Sequence, residues 1–209
     1  SPFIYRRPAP DRVLEFCRKY NITPKGHPLC WHHFTPEWAP KNSRELMKAL
    51  DKRFKEISER YADIIPIWDV VNEAQTRHPG VRLTESLPDD HVERCFKLAE
   101  KYFPNNQLAI NEAPMVWREN ARTTDHYYAY TEAAIHRGVR IDAIGMQYHL
   151  FCKQDEIYQA TRKYLSPEWL YRHMDLYARF GKPLQVTEIT IPAYSNEPEN
   201  EAVQAELLE

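Results

Sequence analysis

Two glutamates carry the first chemical signal in this chain, because each closes a run of apolar residues. Ile65-Pro66-Ile67-Trp68-Asp69-Val70-Val71-Asn72-Glu73-Ala74 ends its apolar stretch at Glu73. Leu184-Gln185-Val186-Thr187-Glu188-Ile189-Thr190 does the same around Glu188. Short apolar runs of this kind read as buried strands. A carboxyl delivered from the end of each of two strands suits a reaction needing one proton donor and one nucleophile, which is the requirement of a retaining glycosidase. Placement at the C-terminal ends of strands is where a (β/α)-barrel builds its active site.

Further polar groups cluster at strand ends. Side chains two apart on a strand share a face, so Gln147 and His149 in Gly145-Met146-Gln147-Tyr148-His149 point the same way. His27 and Trp31 flank Gly26-His27-Pro28-Leu29-Cys30-Trp31-His32-His33, and Asn72 adjoins Glu73. Two carboxylates, two amides, two imidazoles and an indole at four strand ends are hard to explain as packing alone. The adjacent His32 and His33 would point to opposite faces of a strand, so they make no pair of metal ligands. No metal or other cofactor is called for.

The elements that must position these groups alternate. Helices are expected over Asp11–Tyr20, with Val13, Leu14, Phe16 and Cys17 on one face, from an N-cap at Ser43 to Tyr61, and over Asp89–Tyr102. Others are expected over Glu119–Arg137, Pro167–Phe180 and Glu199–Glu209, with Gly138 and Gly181 as C-caps. Strands fall at Ile22–Trp31, Ile64–Asn72, Gln107–Asn111, Ala143–His149 and Pro183–Thr190. Alternation of this kind indicates α/β architecture with a parallel sheet. Five strands against the eight of a closed (β/α)8 TIM barrel, which takes about 250 residues, predict an incomplete barrel, residues 1–209 forming one partial catalytic domain. The absent strands would come from the same parent protein or from a partner chain.

Bulk properties narrow the partners. The 209 residues are 43% hydrophobic with a net charge of −2, which gives no electrostatic reason to expect nucleic acid or an anionic membrane. No apolar run is long enough to span a bilayer, and the opening residues lack the apolar core of a signal peptide. Cys17, Cys30, Cys95 and Cys152 are far apart in sequence and read as isolated thiols packed as small apolar groups. Among thirteen Tyr and five Trp, Trp38, Trp117 and Tyr194 fall in loops after strands, where rings can stack on sugar faces.

The segments Gly26–His33, Trp68–Ala74, Gly145–Leu150 and Val186–Ile189 together resemble glycoside hydrolase family ten, the endo-β-1,4-xylanases. That family carries G-H-x-L-x-W-H, W-D-V-V-N-E, Q-x-H and T-E on its strands three, four, six and seven, and all four occur here in order. The resemblance implies endo-hydrolysis of β-1,4-xylosidic bonds in xylan or xylo-oligosaccharides by double displacement. It implies Glu73 as general acid/base, Glu188 as nucleophile, and Asn72 on the sugar 2-hydroxyl. His27, Trp31 and Gln147 would line the subsite of the reacting sugar, and His149 would orient Glu188. A secreted or cell-envelope location also follows from it. Another retaining β-glycanase, such as a β-glucanase, and a non-catalytic carbohydrate-binding fragment are the alternatives. Two departures stand out. Thr190 occupies the place of a common Asp, and Asn111-Glu112-Ala113 stands for Asn-Asp-Tyr.

Overall fold

A computed structural model describes residues 8–74, 87–113, 126–156 and 167–208. The described elements are α1 (Pro8–Lys19), β1 (Lys25–Gly26), β2 (Cys30–Trp31), α2 (Ser43–Tyr61), β3 (Ile67–Asn72), α3 (His91–Tyr102) and β4 (Gln107–Glu112). Then come α4 (His126–His136), β5 (Ala143–His149), α5 (Pro167–Ala178), β6 (Leu184–Thr190) and α6 (Pro198–Leu208). Every strand pair described is parallel, with helices between strands: part of a (β/α)8 barrel. Two compact units divide the chain, one of Ser1–Asn111 with Ala134–Ala143, the other of Glu112–Ala133 with Ile144–Glu209.

In the first unit, β1, β2 and β4 all pair with β3. The expected single strand Ile22–Trp31 is instead two short ones. Pro28 has no N–H to give to a ladder, and the carbonyls of Pro28 and Leu29 accept from Arg53 of α2 at 3.3 and 2.9 Å. Gly26 lies flat against the Trp68 ring, and a Cβ there would sit 2.1 Å from it. Trp68 in turn packs on Phe103 at 5.1 Å and donates to the Ile65 carbonyl. Phe54, Phe96 and Phe103 are fully buried as α2 and α3 pack together.

Three expectations need correction. The cap of α2 is Asn42, whose side chain accepts from the N–H groups of Arg44 and Glu45, so Ser43 is the first helical residue. On α1 only Leu14 and Cys17 are buried, while Val13 and Phe16 face solvent. The four cysteines are free, but two are not isolated. Cys30 and Cys95 are buried neighbours, and the Cys30 thiol beside it, with burial, pushes the Cys95 thiol well up.

In the second unit β5 pairs with β6, and an aromatic seam fills the space beside them. Tyr177 of α5 lies 5.3 Å from Tyr127 and 4.9 Å from His173, and Tyr128 stacks on Phe180 at 4.6 Å. Tyr127 donates to the Gly145 carbonyl of β5. Gly138 and Gly181 take the left-handed conformation expected of C-caps, with φ of 78° and 63°. The expected start of α4 at Glu119 lies outside the described residues. Among those residues no helix is long and apolar enough to cross a membrane.

Candidate active site

Glu73 follows β3 directly. Its backbone N–H donates to the Asn111 carbonyl at 2.9 Å, and its φ is +53°, the left-handed region that non-glycine residues rarely occupy. Trp31 Nε1 donates to Glu73 Oε2 at 3.1 Å, and His33 Nε2 approaches the same oxygen at 4.0 Å. One residue upstream, Asn72 Oδ1 accepts from Asn111 Nδ2 at 2.8 Å, with both amides buried. Trp31, Asn72 and Glu73 thus form one neighbourhood. His27 joins it through the Trp31 ring edge at 5.8 Å.

Asp69, two turns of the pleat before Glu73, is the residue that sequence reasoning passed over. It is 2% exposed and holds Lys25 Nζ at 2.8 Å and His27 Nδ1 at 3.0 Å. A signal was available: a carboxylate inside an apolar strand needs cationic or hydrogen-bonding partners. Lys25 and His27, two apart, were positioned to supply them. Phe34 was also missed. It is 70% exposed and packs 4.3 Å from Trp31, beside the carboxylate that Trp31 holds.

His32 and His33 correct another expectation. They lie in a 3-10 turn, His32–Phe34, where the chain leaves the strand, and their rings are 4.2 Å apart rather than on opposite faces. Among the described residues no three His, Cys, Asp or Glu side chains gather as metal ligands.

The second unit builds its own constellation on paired β5 and β6. Gln147 is opposite Glu188 and His149 opposite Thr190 in the ladder. His149 Nε2 lies 3.2 Å from Glu188 Oε2, and His149 Nδ1 lies 2.7 Å from Thr190 Oγ1. Phe151, 78% exposed, stacks on the His149 ring at 5.0 Å with a 19° tilt. Gln147 is buried, whereas His149 and Glu188 are partly exposed.

Both strands that carry a candidate carboxylate contain a register slip. Val70 is the extra residue on β3 against β4, and Thr187 the extra one on β6 against β5. Such bulges re-aim the side chains that follow. Of the rings expected to stack on sugars, Trp38 is 45% exposed. Tyr194 spends its hydroxyl on the Cys152 carbonyl, and Trp117 lies outside the described residues.

Parallel strands that present acids toward the C-terminal ends of β3, β4 and β6 are an arrangement found in the (β/α)-barrel glycosidases. The model of glycosyl hydrolase family 10 matches residues 5–208, and the chain belongs to that family. It is 27% identical over 206 residues to a β-1,4-xylanase of Dictyoglomus thermophilum, covering 96% of this chain and 55% of that protein. Endo-1,4-β-xylanase A of Caldicellulosiruptor saccharolyticus is 28% identical over 198 residues, covering 89% of this chain and 54% of that protein. The crystal structure of an endo-1,4-β-xylanase from Caldicellulosiruptor owensensis superposes with a TM-score of 0.74 at 27% identity, over 99% of this chain and 66% of that one. The chain thus spans little more than half the length of these curated relatives.

Proposed function

We propose that this chain carries the catalytic carboxylates of an endo-acting, retaining β-1,4-xylanase, with xylan or xylo-oligosaccharides as substrate. The observation that carries the reading is Glu188 near the C-terminal end of β6, held by His149 of β5 at 3.2 Å, in a family 10 chain. An ionised Glu188 attacks the anomeric carbon and forms a glycosyl ester. The bond to the leaving oxygen breaks as Glu73 gives that oxygen its proton. Glu73, now a carboxylate, takes a proton from water, which attacks the same carbon and releases Glu188.

Supporting groups fall into place around these roles. Trp31 donates to Glu73 and fixes its orientation. Asn111 donates to Asn72 Oδ1 and so fixes which way the Asn72 amide faces, Nδ2 being the end that can donate to a sugar hydroxyl oxygen. His27, beside Trp31, and Gln147, opposite Glu188 in the ladder, are the further residues that would bind the reacting sugar. The exposed rings of Phe34 and Phe151 are suited to contact sugar faces, as Trp38 and Tyr194 are.

The test is covalent trapping with a 2-deoxy-2-fluoro xylobioside bearing a dinitrophenyl leaving group, read by peptide mass. A label on Glu188 is expected. A label elsewhere would overturn the nucleophile assignment. In active protein, Glu188→Ala should abolish turnover. Glu73→Ala should retain first-step rates on good leaving groups and lose them on poor ones, by the 10²–10⁴-fold or so typical of general acid catalysis. Activity on xylan against cellulose separates this reading from a β-glucanase.

A further inference from the structure

We propose that the pocket between β2, the turn His32–Phe34 and α2 binds an uncharged aromatic ring, carried as a substituent on the xylan chain. Its volume is about 270 Å³. An apolar cavity of about 150 Å³ already takes up benzene, so this one accommodates a phenol-sized ring with a short linker. Leu29, Cys30, Leu46 and Leu87 form its buried floor. Phe34 and Trp38, both exposed, stand at the mouth. Trp31 forms a wall, its ring 4.3 Å from that of Phe34.

The polar side chains inside the mouth argue against a sugar as the occupant, because each is already engaged. Trp31 Nε1 donates to Glu73 at 3.1 Å, and Thr35 Oγ1 donates to the His32 carbonyl at 3.0 Å. Arg53, the charged residue among those lining the pocket, turns its guanidinium to the carbonyls of Leu29 and Pro28 at 2.9 and 3.3 Å. A sugar carries hydroxyls around its ring, and in this pocket they would give up water for groups that have partners. An anionic ring would bury its charge against apolar walls at a higher cost still. A neutral aryl ring loses little water and can pack against Phe34 and Trp31 in the offset or tilted geometries that aromatic pairs favour. Trp31 decides the carrier. The indole that walls the pocket also holds Glu73, so a ring seated here lies next to a sugar chain at that carboxyl. The carrier rests on the proposed function, but the pocket's preference for an uncharged ring does not.

The experiment titrates 4-methylphenol into the chain with ¹³C-labelled leucine methyl groups. The expected result is saturable shifts and intermolecular NOEs at Leu46, Leu50 and Leu87, with none at Leu14 in the separate groove between α1 and α2. 4-Methylbenzoate should bind about tenfold more weakly or worse, and xylose should give no NOE to these leucines. Ala49→Leu, which places a larger side chain in the pocket, should weaken the phenol by about tenfold. No saturable binding, contacts shared equally with Leu14, a benzoate that binds as well as the phenol, or xylose at the floor overturns the proposal. Should Ala49→Leu not fold, the wild-type contacts decide alone. For the carrier, xylotriose esterified with 4-hydroxycinnamic acid should bind about tenfold more tightly than methyl 4-hydroxycinnamate. Equal affinity for the two would make a free phenolic compound the occupant and overturn the assignment to xylan. None of these measurements needs turnover. A chain that binds the phenol but not xylotriose counts against the proposed function, whereas one that binds xylotriose but not the phenol counts against this pocket.

Discussion

At the scale of single residues, the buried carboxylate of Asp69 has the clearest energetic consequence. It is shielded from water and answers two donors, Lys25 at 2.8 Å and His27 at 3.0 Å. Asp69→Asn keeps the shape but removes the charge, and should cost about 1.5–3 kcal/mol in urea unfolding, the range for hydrogen bonds to charged groups. Lys25→Met in the Asp69→Asn background should add little, because the pair acts as one unit. Glu73 and Glu188 were legible in the sequence because each interrupts an apolar run at a strand end. Asp69 was hidden by the opposite circumstance. It sits inside the run, where a carboxylate reads as an accident until the parallel register, Lys25 against Ile67 and Gly26 against Trp68, brings His27 alongside.

At the scale of elements, periodicity placed most helices and strands within a few residues but could not foresee local interruptions. Pro28 divides the expected strand Ile22–Trp31 into β1 and β2, and Arg53 takes up the carbonyls that the division releases. The slips at Val70 and Thr187 leave the apolar pattern intact and change only which residues face which. On α1 the apolar face was legible, but which part of it would be covered was not, since the partner surface is set by distant residues. The seam between β5 and α5 supports a pH prediction. Burial pushes the Tyr148 phenol up to about 12, and its ring lies 6.3 Å from His173. A raised value means the neutral ring's contribution to stability is intact below about pH 10, the ordinary tyrosine value, and is lost as pH rises toward 12. Tyr148→Phe cannot ionise and should unfold at higher pH than wild type in an alkaline titration followed by circular dichroism.

At the scale of the whole molecule, β6 is the informative strand. Among the described residues it pairs with β5 alone, and Val186 and Ile189 are 51% and 52% exposed. Parallel strands in α/β proteins ordinarily have both faces covered, and an open apolar strand is a template for pairing with another chain. Residues 1–209 by themselves should therefore self-associate in sedimentation velocity at micromolar concentration. Val186→Thr with Ile189→Thr should shift the distribution toward monomer. A wild-type chain that stays monomeric across that range would show that the strand needs no cover. The partial barrel itself was readable from the count of apolar runs. The division into two compact units was not, because it depends on contacts between residues far apart in sequence.

The backbone of Glu73 carries one more implication. A side chain at φ +53° costs roughly 1–2 kcal/mol relative to glycine. Any laboratory selection that rewards heat resistance alone would be drawn to Glu73→Gly or Glu73→Asn. Those survivors would be sturdier and, if Glu73 has the role proposed for it, inert on unactivated xylan. Screens for a hardier form of this protein should therefore score sugar release in the same well as survival.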